Sequence, residues 1–129
     1  MYTKWILTSA FLLSSAVASA QTGWTIPQGA TDEKNPLTST PELLKKGESL
    51  YKSNCAGCHG PAGLGDGPNV DRRDRKDRPA NLTLSRSPEG VVFYRAWNGR
   101  KDPDMPAFKS RMTKDEVWTV VAYVMSLRR

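Results

Sequence analysis

Three stretches of the chain carry apolar residues at helical spacing, and the segments between them are polar or rich in glycine and proline. In the first, Leu43, Gly47, Leu50, Tyr51 and Asn54 recur every three or four positions. Thr40 is placed to cap it, Pro41 suits its first turn, and Glu42 favours its positive end. Gly47 in mid-helix costs about 1 kcal/mol against alanine, a cost that a close helix crossing would justify. A second, shorter helix is predicted to start at Ser87-Pro88-Glu89, to present Val91, Val92, Phe93 and Trp97, and to stop at Asn98-Gly99. The third opens with a capping box from Thr113 to Glu116. Val117, Val120, Val121, Val124 and Leu127 form its apolar face, and Arg128-Arg129 suit its negative end.

The first twenty residues follow a different pattern. Lys4 supplies a positive start, a short serine-punctuated apolar run follows, and Ala18-Ser19-Ala20 is a small-x-small cleavage signal. The run is short for a membrane span, which needs about 20 apolar residues. Residues 1–20 are therefore expected to be a secretory signal peptide cleaved after Ala20, leaving no membrane span in the mature chain. Residues 21–40 are read as an extended N-terminal segment and 41–129 as the one folded domain. What remains is polar and loop-rich, and such a domain is marginal unless something beyond side chains fills its core.

Charge narrows the function classes. Without the leader the chain holds 18 basic against 13 acidic side chains, a net of +5. That excess favours acidic protein surfaces, but it is not the concentrated stripe of a nucleic-acid binder. The densest run, DRRDRKDR at 71–78, alternates signs as a solvated loop does. The glycine-rich run GPAGLGDG at 60–67 lacks the Gly-Lys-Ser/Thr ending of a phosphate loop and reads as tight turns.

The soft ligands are concentrated in one place. Cys55, Cys58 and His59 are the only cysteines and the only histidine of the chain. An exported protein could pair the cysteines in a disulfide. A thioredoxin-like redox pair belongs at the head of a helix in a βαβ setting, and no β-rich pattern surrounds this one. A closed zinc site wants four ligands, so a carboxylate such as Asp66 would have to serve. The fourth reading, Cys-x-x-Cys-His with haem, uses every residue: two thiols form thioethers and the adjacent His coordinates the iron.

CAGCHGPAGLGDGP, with DMPAF following some 46 positions after His59 and an amphipathic helix closing the chain, resembles a class I c-type cytochrome. The resemblance covers about 41–127. It implies an all-α, cytochrome c-like fold of about three to four helices and long loops wrapped around one covalent haem c. It also implies that the first helix crosses the last through a glycine and an aromatic pair, here Gly47 and Tyr51 against Tyr123 or Trp118. His59 cannot pair with a second histidine, so a thioether is the expected partner, with Met105, Met112 and Met125 as candidates. Met125 lies on the last helix, where methionine is usually core filler. Met105 is held between Pro103 and Pro106, and it matches the family's Met-Pro-aromatic loop. The metal ligands are thus expected to be His59 and Met105, with Met112 next. The family also gives the axial histidine a proline carbonyl as hydrogen-bond acceptor, expected here from Pro79, with Pro68 as the alternative. Trp97 and Arg78, with Arg95 and Arg100, are candidate donors to the haem propionates.

The function expected from this resemblance is one-electron transfer in the periplasm, not catalysis. Redox protein partners with acidic surfaces are implied, a dehydrogenase as donor and an oxidase or another cytochrome as acceptor. Two other readings stay open: a haem c subunit dedicated to a dehydrogenase or oxidase complex, and a five-coordinate ligand-binding or sensor haem protein.

Overall fold

The computed structural model describes residues 23–70, 78–101 and 104–129. The leader, most of the charged run at 71–78, and Pro103 lie outside the described residues. Among the described residues five helical segments occur in order: α1 (Gln28–Asp32), α2 (Pro41–Asn54), α3 (Ala56–His59), α4 (Glu89–Asn98) and α5 (Lys114–Ser126). Between α4 and α5 a two-residue hairpin pairs β1 (Arg100–Lys101) with β2 (Asp104–Met105), Arg100 opposite Met105. The fold is all-α, and α2, α4 and α5 are its three long helices.

The helix ends obey local chemistry. Thr40 Oγ1 accepts from the Leu43 N–H at 3.1 Å, and Pro41 fills the first position. At α5 the capping box closes in both directions: Glu116 N–H donates to Thr113 Oγ1 at 3.2 Å, and Thr113 N–H donates to Glu116 Oε2 at 2.9 Å. These bonds satisfy backbone donors that have no partner inside a helix.

Two apolar clusters share α5. On one side Phe93 of α4 stacks on Trp118 with ring centroids 4.2 Å apart, and Trp97 lies 5.8 Å beyond in a nearly parallel plane. On the other, α2 crosses α5. A methyl group at Gly47 would lie 2.5 Å from the Thr119 carbonyl oxygen and 2.8 Å from Tyr123 Cβ, so only glycine lets the two backbones approach this closely. One turn on, Tyr51 is fully buried and its ring sits 5.3 Å from that of Tyr123. The aromatic partner at this crossing is Tyr123, whereas Trp118 faces α4.

Residues 21–40, expected to be extended, carry the one-turn helix α1. Ala30 is buried and packs where Gly90 of α4 leaves room. Further on, Asn35 Nδ2 donates to the Trp118 carbonyl at 2.9 Å. Tertiary contact orders this segment, since five residues cannot sustain a helix alone.

Candidate functional site

The candidate site begins where α2 ends. Cys55 leaves helical geometry at φ −120° and ψ −33°, its N–H donating to the Tyr51 carbonyl at 2.8 Å. Its own carbonyl then accepts from the Cys58 and His59 N–H groups at 3.2 and 2.9 Å, starting α3 in a new direction. Cys55, Cys58 and His59 thus share one short turn. Both cysteines are free, Cys58 exposed and Cys55 partly covered.

The glycine-rich loop folds back over the carbonyl end of α3. Asn69, Gly67 and Gly65 N–H groups donate to the carbonyls of Gly57, Cys58 and His59 at 2.8, 3.0 and 2.8 Å. These carbonyls have no acceptor role left within the helix, so the loop completes the turn. Gly60, at φ +82°, makes the reversal possible. Tyr51 Oη donates to its carbonyl at 2.7 Å, fastening the reversal to the α2–α5 crossing.

The ring of His59 is fixed by a backbone carbonyl. Nδ1 lies 3.3 Å from the Ala80 oxygen. A carbonyl can only accept, so this bond requires the proton on Nδ1 and leaves the Nε2 lone pair free. Burial pushes the imidazole below its ordinary pKa, and the Ala80 bond opposes that shift. The expected acceptor was Pro79, and here the structure corrects the sequence reading. The Pro79 carbonyl stands against Gly65, where any Cβ would collide with it, and the next carbonyl turns to the ring. Pro68, the alternative, is exposed.

Beside the turn lies an apolar pocket lined by Cys55, Ala96, Phe108, Met112, Val117 and Val120. Its walls come from α2, α4, α5 and the loop before α5. Burial, reinforced by the neighbouring Cys58, pushes the Cys55 thiol up to about 12, and Arg111 opposes this. The loop wall is tied down by main-chain bonds: Phe108 N–H donates to the Ala96 carbonyl at 3.0 Å and Lys109 N–H to the Trp97 carbonyl at 3.3 Å. Met105 lies three residues before Phe108 on the β2 strand and is half-buried. Met112 is on the pocket wall itself.

The remaining candidates scatter. Trp97 packs against the Phe93–Trp118 cluster, with Lys114 Nζ 5.9 Å from its ring centroid. Arg78 is exposed. Arg95 reaches back to Ser87 Oγ at 3.0 Å, and Arg100 lies 4.8 Å over the Trp24 ring. Ala80 and the wall residues Ala96 and Phe108 were missed as site residues. The spacing of Val92 and Ala96 on α4 and the aromatic after Met105-Pro106 were the available signals for the wall. Nothing in the sequence singles out Ala80.

The residues fit a covalent haem. Two unpaired thiols and an imidazole with a free Nε2 share one turn, the donor set that haem c requires, and Cys55 lines the small apolar pocket beside it. Among the described residues no group of three or more His, Cys, Asp or Glu could hold a metal ion, so the zinc reading through Asp66 has no cluster behind it.

Comparison with known proteins agrees. The family described as "Cytochrome C oxidase, cbb3-type, subunit III" matches residues 42–124. A cytochrome c4 of Thiocapsa roseopersicina is 32% identical over 109 residues, 76% of this chain and 54% of that protein. The chain therefore spans about half the length of this relative. A cytochrome c6 of Parathermosynechococcus lividus is 29% identical over 82 residues, 64% of this chain and 87% of that one. Among solved structures, a chain of the Kuenenia stuttgartiensis reducing HAO-like protein complex superposes with a TM-score of 0.61 at 30% identity. That match covers 73% of this chain and 47% of the other.

Proposed function

This chain is a class I c-type cytochrome, of the family described as cbb3-type cytochrome c oxidase subunit III, and on that footing we propose that it is a periplasmic one-electron carrier. Its cofactor is one covalent haem c, which when bound supplies a one-electron Fe(II)/Fe(III) couple. In this reading Cys55 and Cys58 would hold the group through thioethers, and His59 Nε2 and the Met105 sulfur would be the protein's ligands to its iron. The observation that carries the reading is Cys55, Cys58 and His59 on one turn, with Cys55 lining a small apolar pocket and the ring tautomer set by Ala80.

The chain's own residues do three things. Ala80 holds the Nδ1 proton, which presents Nε2 and fixes the ring plane. Ala96, Phe108, Val117 and Val120 keep water from the pocket, a lever on potential. Pro106 stiffens the segment that carries Met105. Were both His59 and Met105 to ligate the iron, the protein would leave no ligand position for a substrate, which favours electron transfer over catalysis.

Export rests on the leader, cleaved after Ala20. No described helix is long and apolar enough to cross a membrane. Lys45, Lys46, Lys101 and Lys109 are exposed and offer positive charge to acidic redox partners, a dehydrogenase on the donor side and an oxidase or second cytochrome on the acceptor side. Lys52 is exposed too, but Glu48 pairs with it at 2.7 Å. A second reading, a subunit dedicated to one such complex, draws support from the family's description as an oxidase subunit and from the solved complex above.

Mass spectrometry of the matured chain tests the core of this. The expected mass starts at Gln21 and includes one haem; a bare polypeptide mass rejects the reading. Met105→Ala should abolish the sulfur-to-iron charge-transfer band of the ferric form and lower the potential. Retention of the band there, with its loss in Met112→Ala, would move the ligand to Met112.

A further inference from the structure

Positive charge gathers at the start of α4, on a cavity that shares no lining residue with the pocket beside Cys55. The cavity, of about 430 Å³, opens between residues 26–31 and the entry to α4. Thr31, Arg86, Ser87 and Arg95 form its polar wall, and Ile26 and Val91 an apolar one. Three guanidiniums meet around Ser87. Arg95 Nη1 donates to its hydroxyl at 3.0 Å, and Arg128 Nη2 donates to its carbonyl at 2.7 Å. Arg86, next in sequence, donates from Nη2 to the Arg129 main-chain oxygen at 3.2 Å.

The Ser87 oxygens are neutral and bring no negative charge to Arg95 and Arg128, whereas the oxygen that Arg86 meets is that of Arg129, the last residue of the sequence, a carboxylate oxygen. Among the described residues neither Arg95 nor Arg128 forms an ion pair with an acidic side chain; Glu89 is the acid whose field reaches Arg128. The Nε atoms of Arg95 and Arg128 are buried without a hydrogen-bond partner. Burial and then the neighbouring Arg100 push Arg95 down from its ordinary pKa, as burial and Arg86 do for Arg128. A buried, unpaired charge is costly, and guanidinium forks match tetrahedral oxyanions and carboxylates. With two such forks on the wall and a third behind Ser87, a dianion compensates more of the charge than a monoanion.

We propose that this cavity binds a phosphate group, gripped by Arg86 and Arg95 with the Thr31 and Ser87 hydroxyls as neutral partners. The group belongs either to free phosphate or to a phosphomonoester whose organic part lies on Ile26 and Val91.

The test titrates the haem-loaded protein, at constant ionic strength, with inorganic phosphate and separately with phenyl phosphate, read by calorimetry. Saturable binding at one site is expected, weakened about tenfold by Arg86→Gln, the loss of one charge-assisted contact. Arg86 is exposed, so this variant leaves the fold intact, and Arg95→Lys should show the same loss. Tighter binding of the aromatic ester assigns an ester; equal binding assigns the free ion. The proposal is overturned by the absence of saturable heat with both probes, or by unchanged isotherms in Arg86→Gln. Binding by the haem-free chain that disappears on haem loading overturns it as well, since the haem's own carboxylates would then be the occupants.

Discussion

Cys55 and Cys58 stand three positions apart on one turn, yet their surroundings differ. Cys55 faces the apolar pocket, and burial holds its thiol protonated at neutral pH, whereas Cys58 is exposed. Alkylation depends on thiolate and access. In the haem-free chain at pH 8, iodoacetamide should modify Cys58 well before Cys55, a sequence readable by peptide mapping. Equal rates would mean that the pocket is open before the cofactor arrives. Tyr51 acts at the same scale. Its hydroxyl supplies the Gly60 carbonyl bond, and burial raises its pKa far above the working range. Tyr51→Phe removes that partner and leaves a buried acceptor, costing about 1–3 kcal/mol, which denaturant unfolding should show.

Among the elements, the crossing of α2 on α5 is the most tightly determined. Gly47→Ala gains about 1 kcal/mol of helix propensity. It also drives a methyl group into the Thr119 carbonyl and Tyr123 Cβ, overpacking that typically costs about 1–3 kcal/mol or more. The clash involves backbone, which cannot swing aside, so the expected net effect is lower stability; a raised melting temperature would contradict it. At the start of α5, Thr113→Ala should cost about 1 kcal/mol. Glu116 adds a pH dependence of defined sign. Its carboxyl is held below its ordinary pKa by the Thr113 N–H and hydroxyl. Its contribution is therefore present above the unfolded value and is lost as pH falls through the folded one. Glu116→Gln should flatten that part of the acid limb in pH-dependent unfolding.

For the molecule as a whole, the net charge of +6 bears on how it meets other proteins. Charges on opposing surfaces act over about 10 Å at 0.1 M salt. Electron exchange with an anionic redox reagent should slow as ionic strength rises, and exchange with a cationic one should accelerate, both readable by stopped flow. Insensitivity to salt in both would remove steering from the account. The lysines offered for this role sit on α2, the hairpin and the loop before α5, so the sign of the effect belongs to the surface and not to one residue.

The cofactor class was legible in five positions, because covalent haem uses Cys55, Cys58 and His59 together and needs no fourth Cys, His or carboxylate in the cluster. The three long helices were legible too, since caps and apolar spacing are local properties of the chain. Gly47 announced a crossing, but its partner was a matter of packing: Tyr123 meets it because Trp118 is drawn to Phe93. The acceptor for His59 was beyond sequence for a related reason. Any residue supplies a carbonyl, and which of two neighbours faces the ring depends on how Gly65 crowds the Pro79 oxygen. The helical turn at Gln28–Asp32 and the gathering of Arg86, Arg95 and Arg128 around Ser87 also needed tertiary structure, because they join segments far apart in the chain.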